Sequence, residues 1–168
     1  KLGLRPSPGS QTLLDVLLSF RTEHKAPPRP DLFYPALVDA LQRERRLKEV
    51  ADTPLCWVNG AYHSPSDILV GARLALPLAE AIPIHSHWDE VGRAYQALGA
   101  PALPGDEHWT RFFEHVGSEW AKEVPLDKAR RRLLLEAYHI LGASGLPAGL
   151  DYSACLFDAR RRLFTPLE

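Results

Sequence analysis

The residues best suited to chemistry fall in a few short stretches. His85-Ser86-His87, with Asp89, Glu90 and His63 as further donors, has the side-chain types that ligate a divalent metal. A His-x-His pair chelates from a strand, because alternate residues share one face. Ser86 and Asp89, however, have the spacing of a helix N-cap and its reciprocal acid. That reading puts His85 and His87 at a helix start, where they share no face, so no metal is expected. Cys56 beside a histidine, or Ser64 with His63 and Asp67, can be written as a nucleophile with its base. No G-x-S-x-G elbow surrounds Ser64, and its place before Pro65 suits a helix cap. His108 and His115 lie seven apart on one helical pattern, two turns from each other. The chain is therefore read as no enzyme, with no cofactor. A small metal hydrolase centred on His85 and His87 is the least favoured class.

Two arginine clusters stand out as candidate binding groups. Arg130, Arg131 and Arg132 sit near a predicted helix start, where the helix dipole disfavours positive charge. Arg160, Arg161 and Arg162 crowd a predicted hairpin turn. Together they form a candidate surface for phosphates or an acidic partner. Arg43, Arg45 and Arg46 alternate with Glu44 and Glu49, and read as the solvated, ion-paired face of a long helix. The formal charge of -1 and the pI near 6.7 exclude a whole-molecule field that would draw the chain to nucleic acid or an anionic membrane. Fifteen arginines against five lysines, with no methionine, read as the signature of a GC-rich genome.

The elements that must position these residues come from a chain of 168 residues, 45% hydrophobic and 24% charged, within the ordinary globular range. Its longest apolar run, Leu74 to Ile84, is broken by Pro77, Glu80 and Pro83 and is too short to span a bilayer. Two cysteines without a Cys-x-x-Cys spacing make no disulfide framework, and a cytoplasmic location is expected. Trp57, Trp88, Trp109 and Trp120 are assigned to core packing.

The sequence also repeats. Leu2-Gly3-Leu4 and Pro8-Gly9-Ser10 recur 96 positions on as Leu98-Gly99-Ala100 and Pro104-Gly105-Asp106. The apolar residues Leu13, Leu14, Leu17 and Leu18 follow the candidate cap Ser10. Trp109, Phe112, Phe113, Val116 and Trp120 follow the candidate cap Asp106 on one helix face. Asp31 and Asp127 each open a second helix, with Leu37 and Val38 matching Leu133 and Leu134 on its buried side. Both copies continue into an apolar hairpin, from Cys56 and from Cys155. Asn59-Gly60 supplies the two positive-φ residues of a type I′ turn. Ser64-Pro65-Ser66-Asp67 and Thr165-Pro166-Leu167-Glu168 each read as a helix start, and a last helix is predicted over Ser86 to Leu98 with Gly99 behind it. The second helix start ends the sequence, which reads as an array cut inside a repeat. The predicted fold is α+β and mainly helical: two tandem repeat-like units, 1–97 and a truncated 98–168, each with a β-hairpin, forming one continuous body.

Trp57, Asn59, Gly60, Tyr62 and Pro65, followed by Leu98-Gly99 and a second hairpin ending in Thr165-Pro166, resemble the large repeats of sacsin and its relatives. That resemblance implies a companion segment of a GHKL-type, heat-shock-like ATPase with a chaperone or scaffold role. No G-x-G-x-x-G and no G-x-x-x-x-G-K-S/T occurs here. The expected function is a non-catalytic interaction or scaffold module whose partner is a protein, or the ATPase module of the same parent chain. The alternative is a nucleic-acid or phosphate-binding module built on the two arginine clusters.

Overall fold

The computed structural model describes residues 7–71, 78–120, 126–141, 156–157 and 163–164. It is α+β and mainly helical, with small strand pairs. The chain divides into two compact units, 1–71 with 83–102, and 72–82 with 103–168.

The first unit begins with α1 (Ser10–Thr22) and α2 (Pro30–Arg43). The hairpin β1 (Cys56–Val58) and β2 (Ala61–His63) follows, then β3 (Leu69–Val70), β4 (Ile84–His85) and α3 (Glu90–Ala97). Tyr34, Leu37, Val38 and Leu41 line the buried side of α2 at helical spacing. They share one core with Val91, Ala94 and Tyr95 from α3, with Leu98 just past its end, and with Cys56 and Val58 from the hairpin. Burying each large apolar side chain contributes roughly 1.5–3 kcal/mol, so α2 and α3 hold the unit together. Strands β3 and β4 pair in parallel, Leu69 with Ile84 and Val70 with His85.

The helix ends differ from several expectations. Helix α1 starts at Ser10 itself, after an extended Gly9, and the serine does not cap by its own side chain. Glu44, just past α2, does that work: Oε1 accepts from the Ser10 backbone N–H at 2.9 Å and Oε2 from its hydroxyl at 2.5 Å. Arg46 Nη1 donates to the same hydroxyl, and Arg46 Nε to Glu49. The long helix read through Glu49 stops at Arg43, because Arg45 takes φ 59° and a short 3-10 turn follows over Leu47–Val50. The predicted helix over Ser86 to Leu98 begins only at Glu90, capped by Asp89, whose carboxylate accepts from the Gly92 N–H at 2.8 Å. Ser86 is no cap. The Pro65–Asp67 segment is a single 3-10 turn, and the Ser64 hydroxyl donates to the Asp52 carbonyl in place of capping it.

The Ser10 hydroxyl and then its N–H hold the Glu44 carboxyl below its ordinary value of 4.5. A depressed folded value contributes stability above the unfolded value and loses it as pH falls through the folded one. The thermal midpoint is therefore expected to drop below pH 4.5, and Glu44→Gln to lower it at neutral pH while flattening the acid dependence. Parallel pH profiles for both proteins would contradict the cap.

In the second unit, α4 (Asp106–Ser118) and α5 (Lys128–Leu141) precede the strand pair β5 (Leu156–Phe157) and β6 (Leu163–Phe164). Trp109, Phe112, Phe113 and Val116 bury one face of α4, with Trp120 beyond its end. Asp106 is the first helical residue and Gly105 the N-cap, its N–H donating to His108 Nδ1. Asp127 opens α5 as expected, its carboxylate accepting from the Arg130 N–H at 2.9 Å. Thr165 to Glu168, and with them the second predicted helix start, lie outside the described residues.

Candidate functional site

The residues of the hairpin pattern come together in the first unit. Asn59 and Gly60 take φ 52° and 84°, the positive values a type I′ turn requires. The turn aligns Trp57 with Tyr62 across the strands, their rings 5.0 Å apart and edge to face. Cys56 and Val58 alternate inward into the core, while the hairpin tip at Asn59 to Ala61 is exposed. Tyr62 donates its hydroxyl to the Lys25 carbonyl. Pro65 is buried, and its Cβ lies 3.9 Å from where a side chain on Gly99 would begin. Leu98, one residue before, is buried in the same core.

Two tyrosines that sequence patterns did not single out as functional hold this hairpin. Tyr34 of α2 donates to the Leu55 carbonyl and accepts from the Trp57 N–H. Tyr95 of α3 accepts from that N–H at 3.0 Å and donates to the Trp57 carbonyl at 2.9 Å. The rings meet edge to face at 4.8 Å, a geometry that favours aromatic pairs. Tyr95 lies on the buried face of its helix with Val91 and Ala94. The target of its hydroxyl is 38 residues away, which local periodicity does not encode. Burial pushes all three phenols up, Tyr62 to about 12. They therefore stay neutral and serve as hydrogen-bonding struts.

The groups weighed for catalysis or metal binding are engaged elsewhere. Cys56 is fully buried, and burial pushes its thiol up, away from the reactive thiolate. Ser64 is tied to Asp52. His85 lies on β4 and not at a helix start, its Nε2 3.0 Å from Asp89 Oδ1, and its ring packs 5.3 Å from Tyr95 and 6.2 Å from His87. Burial opposes ionisation of Asp89, but hydrogen bonds from Gly92 and His85 outweigh it and keep the acid below its ordinary value. Among the described residues, no three His, Cys, Asp or Glu side chains group to hold a metal ion.

The arginines are placed less uniformly. Arg130 lies 5.5 Å over the Trp120 ring, with Nε 3.9 Å from Glu80, a cation on an aromatic face beside an acid. Arg131 Nε donates to the Asp127 carbonyl, and Arg132 is exposed. Arg160, Arg161 and Arg162 lie outside the described residues. Of the tryptophans, Trp109 and Trp120 are core and Trp57 is half-buried. Trp88, at 53% exposure, is not core. Its indole N–H donates to the Gly71 carbonyl.

No family model, curated protein or solved structure matches the chain. Among the described residues, no helix is long and apolar enough to cross a membrane.

Proposed function

We propose that the chain is a non-catalytic scaffold module, a pair of sacsin-like repeats that works in the cytoplasm beside a protein partner or the ATPase of its own parent protein. The element spacing carries this reading. Helices α1 and α4 have 13 residues each and start 96 positions apart; α2 and α5 have 14 each and start 98 apart. A strand pair follows each, from Cys56 and from Leu156. Burial supports the same alignment. At the offset of 96, Leu17 and Phe113 are both buried, as are Val38 and Leu134, and Leu41 and Ala137. Units that repeat an architecture in this way stack and present surfaces, and so act as scaffolds. The engagement of Cys56, Ser64 and His85 in packing and hydrogen bonds supports a structural role as well.

The test is a pair of binding measurements. The full-length parent protein is expected to bind Mg-ATP, while the purified chain binds neither Mg-ATP nor a labelled oligonucleotide. ATP hydrolysis by the chain alone would overturn the reading. So would oligonucleotide affinity that falls steeply with salt and with neutralisation of Arg130 to Arg132 and Arg160 to Arg162.

A further inference from the structure

The chain passes between the two units at three places, after Gly71, after Ile82 and after Ala102. Strand β3 and the glycine behind it bond beside all three. The Leu69 N–H donates at 3.1 Å to the carbonyl of Pro83, the first residue after the second passage. The Val70 N–H donates at 3.1 Å to the Pro101 carbonyl, just before the third. At the first passage, the Gly71 N–H donates to the His85 carbonyl at 2.8 Å, and the Gly71 carbonyl accepts from Trp88 Nε1 at 3.0 Å. Three consecutive backbone N–H groups of the first unit thus gather the passages at one strand.

A parallel pair such as β3 and β4 needs a crossover connection, which ordinarily packs back onto the strands it joins. Here the crossover, residues 72–82, belongs to the second unit instead. Within it Leu78 to Ile82 form one tight turn, with Ala81 and Ile82 donating back to the Leu78 carbonyl. Leu78 and Ile82 are buried. Glu80 between them accepts from Trp120 Nε1 at 3.0 Å and lies 3.9 Å from Arg130 Nε. Only Pro83 separates the buried Ile82 from Ile84, which pairs with Leu69. The proline ring fixes its own φ and restricts the residue before it. A movement of Ile82 therefore meets few free dihedrals before it reaches β4.

We infer that the Leu78–Ile82 turn is a strap and β3 its clasp, a device that couples the opening of one unit to the other. Release of the turn in the second unit draws Pro83 away from the Leu69 N–H. The β3–β4 pair and the anchor of Trp88 on Gly71 then open in the first. Every bond in the device lies within one unit, and the transmission runs through the covalent chain from Ile82 to Ile84. Such coupling is reciprocal, so loosening the clasp frees the strap by the same factor. It goes beyond the scaffold reading and does not depend on it.

Native-state hydrogen exchange, followed by NMR on the isotope-labelled full chain, reads local opening residue by residue. Glu80→Lys takes the acceptor from Trp120 and sets a like charge beside Arg130. It is expected to speed exchange about tenfold at the Leu69 and Gly71 amides and the Trp88 indole N–H, and to leave Leu41 in α2 unchanged. The reverse arm is Gly71→Ala, whose methyl would lie 2.0 Å from Trp88 Nε1. It should speed exchange at the Ile82 amide and the Trp120 indole N–H by a similar factor. Glu80→Gln is the milder variant, and carries the test if Glu80→Lys unfolds the chain. Leu135→Asp, at an exposed leucine of α5, is expected to change none of these rates. Effects of Glu80→Lys or Glu80→Gln confined to Ile82 and Trp120, or of Gly71→Ala confined to the first unit, overturn the proposal. So does equal acceleration at Leu41 in Glu80→Gln, since the chain then opens globally and not through the clasp. None of these outcomes bears on ATP or oligonucleotide binding, on which the scaffold reading stands separately.

Discussion

Gly92→Ala is expected to destabilise the first unit by about 3 kcal/mol, the upper end of the range for overpacking a tight site. Helix propensity alone predicts the opposite sign, since alanine is favoured over glycine inside a helix by about 1 kcal/mol. Packing decides between them. A methyl at Gly92, in the first turn of α3, runs into the backbone carbonyl of His87 and comes within 3.2 Å of His85 Cδ2 and Val70 Cγ1. A flexible side chain could step aside, but a carbonyl fixed between β4 and the Asp89 cap has nowhere to go. The shift therefore propagates into the parallel pairing of Val70 with His85. Gly105→Ala is the control, because the nearest atom to a new methyl there is His108 Nδ1 at 4.0 Å. The loss there is expected to stay within about 1 kcal/mol. Urea denaturation followed by circular dichroism separates the two. Equal midpoints for both variants, or a gain for Gly92→Ala, would mean that helix propensity outweighs packing at this position.

That contrast shows which parts of the fold can be read from sequence. Asn59-Gly60 specifies its turn, because the positive φ values belong to those two residue types and need no distant partner. Asp127 specifies the start of α5 in the same way, bonding to an N–H three residues on. Ser10 has the right residue type for a cap but its N-terminus is capped by Glu44, 34 residues away, so the local rule placed the helix start well and its stabilising contact wrongly. Ser86 fails for a related reason. Asp89 three residues later is the better cap, and pairing of Ile84 and His85 with β3 holds the preceding chain extended. Two-residue strands separated by a crossover carry no period long enough to detect. The candidate site divides likewise. Trp57, Tyr62 and Pro65 follow from turn chemistry and alternation, whereas Tyr34 and Tyr95 hold the hairpin through hydroxyl contacts that no local pattern contains. Trp88 reads as core because tryptophan usually is, yet Gly71 offers its indole a carbonyl at the surface.

In the second unit, Trp120→Ala is expected to cost about 3–5 kcal/mol, the range for truncating a large core aromatic. Trp120 is fully buried, packs edge to face on Phe112 at 5.8 Å, and lies 6.5 Å from His115. It also makes two polar contacts: the indole N–H donates to Glu80, and the Arg130 guanidinium lies over the ring. Trp120→Phe retains most of the apolar volume and removes the indole N–H, and is expected to cost about 1.5–3 kcal/mol, as for one hydrogen bond to a charged acceptor. The two substitutions divide packing from recognition of Glu80. In a Glu80→Gln background the additional loss from Trp120→Phe should shrink, since the charged acceptor is already gone, while the loss from Trp120→Ala should persist. Thermal melts followed by circular dichroism measure all six proteins. If Trp120→Phe costs as much as Trp120→Ala, packing is not the dominant contribution. If Glu80→Gln leaves the cost of Trp120→Phe unchanged, Glu80 is not held through the indole.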